Sequence, residues 1–292
     1  MGRKVCYFYP KNKSAKLKIL ITGASGFIGK NLIPFLLNNN QITVIVRNKK
    51  KIIDQSWNKK VEIIQADIFD KNLNIFYKNY DILIHLAWSN LDDYNHIDHY
   101  RNLKKHKKFI KSAIKNNIKR FIISGTCQEY GFRGGELNER MKAQPATIYS
   151  KAKNELREYV SLLKKNNQIK IQWIRIFYLY GQYQNKKTLF GQLDQAIKNK
   201  NKIFNMSSGQ QIRDYLSINE LCKLINVLVN NPNLVGIINC CSGKKLKLIQ
   251  IIKKYLGQKK IFLNKGYYNI PSYEPLNFWG SRKKIDRIIK TF

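Results

Sequence analysis

The chain has 292 residues, 43% apolar and 12% aromatic, enough to bury a core without the help of a disulfide or a metal. Its formal net charge is +36, but the lysines are spread over nearly every expected helix and turn, which reads as compositional bias and argues against a dedicated nucleic-acid arm. The five cysteines form no CxxC pair, the four histidines show no metal spacing, and no apolar run approaches ~18 residues; these exclude a zinc site, any other metal and a membrane span, and point to a reduced, cytoplasmic protein.

Residues 1–16 form a basic extension without the apolar core of a secretory signal. An apolar run over 17–22 predicts a first strand, and the spacing of Phe27, Ile28, Leu32, Phe35 and Leu36 predicts a helix over 27–37. A turn at 38–41 leads to strands at 42–46, 61–66 and 81–86, and a long polar–apolar stretch over 92–117 reads as one helix. A fifth strand (120–124), a helix (149–165) and a sixth strand (170–177) follow. After Gly181 the rhythm breaks, with helices expected at 189–198, 219–231, 246–256 and near 281–289, and a seventh strand at 235–240. Alternating strands and helices predict an α/β fold, a doubly wound parallel sheet of Rossmann type. A smaller C-terminal lobe is interleaved with it. The dinucleotide-binding domain covers 17–181, and the second lobe covers most of 182–292, with 211–245 returning to the first.

The stretch TGASGFIG carries Gly23, Gly26 and Gly29 between the first strand and the first helix, the context of a dinucleotide-binding turn. Gly23 allows the bend, Gly26 admits a pyrophosphate, and Gly29 lets the helix pack on the sheet. The bare amides at the helix start hold the phosphates. The second strand ends in Arg47-Asn48-Lys49-Lys50, with no carboxylate for an NAD ribose. Arg47 suits a 2′-phosphate, so NADP(H) is favoured over NAD(H). Asp67 suits the adenine amino group.

Tyr149 and Lys153 are spaced i, i+4 on one helix face. A phenol beside an ammonium is acidified and exchanges a proton with a hydroxyl or carbonyl. Thr126 ends the fifth strand, where ligands of doubly wound folds bind. Cys127 reads as a buried small residue. His85 reads as structural, and His96, His99 and His106 as solvated.

TGASGFIG, Asp67, HLA (residues 85–87), SGTCQEYG, YSKAK, RIFYLYG and QQIRDYLSINEL, in this order, resemble the extended short-chain dehydrogenase/reductase superfamily, whose NAD-dependent epimerases and dehydratases mostly act on nucleotide sugars. The resemblance implies a catalytic set of Thr126, Tyr149 and Lys153. It implies cofactor contacts from Gly23, Ser25, Gly26, Phe27, Ile28, Gly29, Arg47, Asp67, Ile68, Leu86, Ala87, Tyr149 and Lys153. Arg213 resembles a diphosphate clamp, and Trp88, Thr126, Lys187 and Gln192 are further substrate-binding candidates, with Arg282 offered as a second phosphate contact. The Thr-Asp-Glu set of the 4,6-dehydratases is replaced by Thr126-Cys127-Gln128, and the Cys that fucose synthases place two residues after the hydroxyl is Gln128. Tyr178 stands where an Asn is usual. The pattern is most similar to reductases of nucleotide-linked 4-keto-6-deoxy sugars, of the 6-deoxytalose dehydrogenase and abequose synthase kind, working in surface polysaccharide synthesis. Two alternatives stay open, a 4-epimerase with tightly held NAD and a non-catalytic NADP-binding regulator. A homodimer paired through the helices over 92–117 and 149–165 is also expected.

Overall fold

The computed structural model describes residues 16–70, 79–270 and 275–289; almost all of the basic extension, Cys6 included, lies outside them. Seven strands form the central sheet. They are β1 (Leu17–Thr22), β2 (Asn40–Val46), β3 (Glu62–Gln65), β4 (Ile82–His85), β5 (Arg120–Thr126), β6 (Lys170–Ile176) and β7 (Gly236–Cys240). Their spatial order is β7-β6-β5-β4-β1-β2-β3, and every pairing is parallel. Between β1 and β4 the winding reverses direction. Ligands of such sheets sit outside the carboxyl ends of the strands at that point.

The sheet is buried on both faces, so its strands are apolar at successive positions. Ile19 and Ile21 face the layer formed by α1 (Phe27–Leu37) and a later helix, while Leu20 faces the opposite layer. That opposite layer is built by α2 (Asp98–Lys115) and α3 (Ile148–Asn167), through Phe109, Ile110, Leu156 and Val160. After α4 (Leu189–Lys198), the helix α5 (Ile218–Asn230) completes the first layer through Leu221, Leu224 and Leu228. Each of these fully buried side chains contributes about 1.5–3 kcal/mol.

A second core unites Phe190 and Leu193 of α4 with Phe204, Met206 and the Leu248 and Ile252 of α6 (Leu248–Leu256). Its strands are short: Ile203–Met206 pairs with Phe262–Lys265, and Ile212–Arg213 with Leu246–Lys247. A smaller cluster, with Cys127, Tyr130, Phe177, Cys241 and Phe278, ties the carboxyl end of the sheet to this lobe. The last element among the described residues is α7 (Lys283–Ile289). Among the described residues no helix is long and apolar enough to cross a membrane.

Three expectations need correction. The helix expected from residue 92 begins only at Asp98. Before it, Asn90 is left-handed (φ 56°), and the Asp93 carboxylate accepts from the Asn95 amide, a local turn that competes with helix. The stretch 246–256 opens as a strand, Leu246–Lys247, because Ile212–Arg213 supplies a partner. His99 and His106 are buried, not solvated: with Leu103 and Ile110 they repeat every three or four residues on the inward face of α2.

Candidate active site

β1 delivers Thr22 and the glycine turn to the reversal point. Gly23 is left-handed at φ +77°, and a Cβ there would stand 2.7 Å from the Ala87 amide and 2.8 Å from the Leu86 carbonyl carbon. A side chain would drive the turn away from the end of β4. A Cβ on Gly29 would overlap the Gly23 carbonyl and Ala24, so α1 also needs its glycine to pack. Gly26 differs, because its Cβ would meet only the Gly23 oxygen at 3.3 Å and its outer side is open. No side chain caps α1 and its first turn carries no acid, which leaves the dipole and amides at Phe27, Ile28 and Gly29 to an outside anion. This cradle fits a dinucleotide pyrophosphate. Arg47 is exposed just past β2, and Asn48 is occupied locally, accepting from the Lys50 amide at 2.9 Å. Asp67 also makes a local turn, accepting from the Phe69 amide at 3.0 Å. Ile68 packs beneath it on the α2–α3 layer.

Thr126 is the last residue of β5 and caps the short helical turn Cys127–Tyr130. Tyr149 is the second residue of α3, whose start is fixed by Thr147 accepting from the Ser150 amide at 3.1 Å. The Thr126 and Tyr149 side chains are both buried, and the hydroxyl is near enough to the phenol to favour its ionised form. Tyr94 braces the phenol, with ring centroids 5.4 Å apart and a carbonyl that accepts from the Tyr149 amide at 2.8 Å. Lys153 is one turn further along and 1% exposed. Its Nζ donates to the Ser124 carbonyl (2.8 Å) and hydroxyl (3.3 Å), and lies 3.8 Å from the Trp88 ring centroid.

The sequence leads one to expect Lys153 to acidify Tyr149, and here the structure differs. Burial pushes the Tyr149 phenol up, with Tyr94, Glu129 and Cys127 adding to the effect and the Thr126 hydroxyl opposing it. The ammonium is held by Ser124 and Trp88 instead, and burial pushes it down to about 7, with Glu129 opposing. The phenol is therefore a neutral donor throughout the physiological range.

Sequence reasoning missed Glu129. It is fully buried behind Thr126, accepting from the Thr126 amide (2.9 Å), Trp173 Nε1 (2.9 Å) and Arg175 Nε (2.8 Å). The guanidinium of Arg175 in turn covers the Tyr130 ring at 4.2 Å. A readable signal existed in the T-x-x-E spacing of 126–129, a capping box. Its reach to β6 could not be read. Cys127 is buried as expected.

Buried polar side chains also line the far side. Thr22 Oγ1 bonds His85 Nδ1 at 2.8 Å, and His85 Nε2 bonds His106 Nδ1 at 3.0 Å. Burial pushes His85 down to about 3, with Lys153 adding to the effect, and holds His106 well below its usual range with His85 and lysines adding. Both are neutral structural groups at neutral pH.

The substrate candidates are more dispersed. Lys187 Nζ bonds Asp92 at 2.8 Å on the surface, and Gln192 is exposed and donates to the Lys187 carbonyl. Arg213 is 4% exposed, donates to the Leu276 carbonyl at 2.7 Å and lies over Phe278. Arg282 is forked onto Asp286 and donates to the Cys241 carbonyl. Beside Thr126, a small cavity is lined by Cys127, Gln128, Ala146, Thr147, Tyr178 and Phe278. Tyr178 thus supplies a ring where an amide was usual. Among the described residues no cluster could hold a metal.

Residues 19–241 match the model of the NAD dependent epimerase/dehydratase family. The chain belongs to that family. It is an enzyme of the extended short-chain dehydrogenase/reductase type, with the Rossmann architecture expected of it. The enzyme is 27% identical, over 91% of its length and 100% of the relative's, to a dTDP-6-deoxy-L-talose 4-dehydrogenase (NAD(+)) from Aggregatibacter actinomycetemcomitans. A GDP-6-deoxy-D-talose 4-dehydrogenase from the same organism is 26% identical, covering 81% and 78% of the two chains. Among solved structures, the UDP-glucuronic acid 4-epimerase of Bacillus cereus in complex with UDP-glucuronic acid and NAD superposes with a TM-score of 0.81 at 22% identity, over 94% and 93% of the chains. That likeness carries the fold.

Proposed function

We propose that the enzyme reduces the C4 keto group of a nucleotide-linked 4-keto-6-deoxyhexose with NADPH, a step toward surface polysaccharide. The observation that carries this reading is a neutral, buried phenol, Tyr149, beside the Thr126 hydroxyl at the carboxyl edge of the sheet, with Cys127 and Gln128 where an eliminating enzyme needs carboxylates. The names of the two 6-deoxytalose dehydrogenases support the substrate class. Arg47 and the absence of an acid at the end of β2 support the phosphorylated cofactor.

The glycine cradle takes the pyrophosphate, and the bound cofactor supplies hydride for C4. The Thr126 hydroxyl and the Tyr149 phenol donate hydrogen bonds to the oxygen as its charge develops. Tyr149 then gives its proton to that oxygen, a transfer suited to a phenol whose burial keeps it protonated. Lys153 orients the cofactor ribose. The buried Glu129 holds the Thr126 amide, and so the hydroxyl, in place.

Tyr149→Phe removes the proton and one oxyanion donor. Turnover should fall by roughly 10²–10⁴-fold while NADPH binding, read by fluorescence, is nearly unchanged. A Phe variant with parental turnover overturns the assignment. The solved 4-epimerase with NAD favours one rival, a 4-epimerase that retains NAD. Consumption of added NADPH in the presence of nucleotide 4-keto-6-deoxy sugars supports reduction; protein purified with bound NAD and epimerising without added cofactor supports the rival.

A further inference from the structure

Trp88 stands three residues beyond the end of β4, and the side chains around it fix its plane. Its Nε1–H donates to His99 Nδ1 at 3.0 Å, and His99 Nε2–H donates to the Asp93 carbonyl at 2.8 Å. The indole stacks on His106 at 4.4 Å and 9°, and His106 is held through His85 to Thr22. The same indole carries Lys153 Nζ 3.8 Å from its ring centroid, on a side chain that is 1% exposed.

We propose that Trp88 is a positioning residue for Lys153, holding the ammonium by its π face and favouring its charged form, in place of contacting the sugar. The inference rests on the role given to Lys153 above. Among the described residues no carboxylate is hydrogen-bonded to Nζ; its partners are the Ser124 carbonyl and hydroxyl and the indole. The titratable groups around it are His85 from β4, His99 and His106 from α2, Tyr149 on its own helix and Glu129 beyond β5. The histidines are pushed down by burial, and the phenol is neutral, so among the titratable groups described here Glu129 alone opposes the desolvation of the ammonium, leaving the ring face as its near support.

A ring face suits this place. A carboxylate bonded to Nζ would neutralise the cation and hold it fast. An aromatic face stabilises the cation without neutralising it, and leaves its N–H groups to be redirected to a ribose hydroxyl.

The test reads the titration of Lys153 directly, without turnover. Protein labelled with ¹³C at lysine Cε is titrated by NMR, with the Lys153 signal assigned by its loss in Lys153→Arg. Trp88→Leu should lower the Lys153 midpoint by about half a unit to one and a half units, and Trp88→Phe should recover much of it. A series of fluorinated tryptophans at position 88, which keep the ring shape and weaken its face, should lower the midpoint stepwise. A midpoint unchanged across that series, or lowered equally by Leu and Phe, overturns the proposal. The fluorinated series also covers the case in which Trp88→Leu does not fold. The pH profile of turnover should move with the midpoint. If the midpoint responds as expected but Tyr149→Phe keeps its activity, the catalytic reading has failed and the Trp88–Lys153 link stands.

Discussion

Glu129→Ala tests the architecture behind the Thr126 hydroxyl. The carboxylate is 0% exposed and Arg175, its partner at 2.8 Å, has a side chain 1% exposed. Truncation leaves that guanidinium buried without its counter-charge, a loss of about 3–5 kcal/mol. The Arg175 Nη1 already has no hydrogen-bond partner, so the group has no second anchor at that nitrogen. The Thr126 amide and Trp173 Nε1 each lose an acceptor, adding about 1–3 kcal/mol for the amide alone. The expected total is about 4–8 kcal/mol, a large share of the 5–15 kcal/mol by which domains are typically stable. Urea unfolding followed by tryptophan fluorescence reads it, with Trp173 as a reporter inside the network. With a slope of about 3 kcal/mol/M, the midpoint should fall by more than about 1 M. Glu129→Gln keeps an acceptor and should fall by less. An Ala variant unfolding within about 0.3 M of the parent would show that the network is not the support described, and the placement of Thr126 would need another explanation.

Arg47→Asp should cut kcat/KM for NADPH relative to NADH by roughly 10–100-fold, the scale of one lost charge-assisted hydrogen bond; an unchanged ratio in steady-state kinetics with both cofactors places the preference elsewhere. The buried histidines give a pH dependence of stability. His85 titrates near 3 in the fold and 6.5 when unfolded, so between those values the unfolded chain binds more protons and the native state loses stability as pH falls. Each such histidine contributes at most about 1.4 kcal/mol per pH unit in that window. Urea midpoints measured from pH 7 to 4 should therefore fall, and the double variant His85→Gln, His106→Gln should flatten the curve; an equally steep curve in that variant would assign the loss to carboxylates. Lys153 acts in the other range. Its charged form is disfavoured in the fold, so it contributes rising stability from about pH 7 toward 10.5, and Lys153→Met should remove that rise.

The parallel sheet, the glycine turn and the placement of Thr126 and Tyr149 were readable because each depends on local pattern. Apolar runs of strand length, glycines between a strand and a helix, and an i, i+4 pair are properties of neighbouring residues. The buried face of α2 was equally readable from its spacing, yet His99 and His106 look polar in isolation, and what makes them core residues is their stacking with Trp88 and His85, which lie outside α2.

The acidity of the Tyr149–Lys153 pair shows the other limit. Spacing puts Tyr149 and Lys153 on one face of α3, but does not say which way a flexible four-carbon side chain turns. In the fold Ser124 and Trp88 take the ammonium, and burial then pushes the phenol up and the amine down. Glu129 was likewise legible only as a cap, since its partners Trp173 and Arg175 come from β6, 44 and 46 residues away in the chain. The amino-acid order by itself determined which backbone segments become strands, helices and a glycine-rich turn, because those follow from short-range sterics and periodic burial. Which charges meet, and how far each is removed from water, was decided only when the parallel sheet brought distant segments together, because Coulomb attraction and desolvation depend on distance in space and not on separation along the chain.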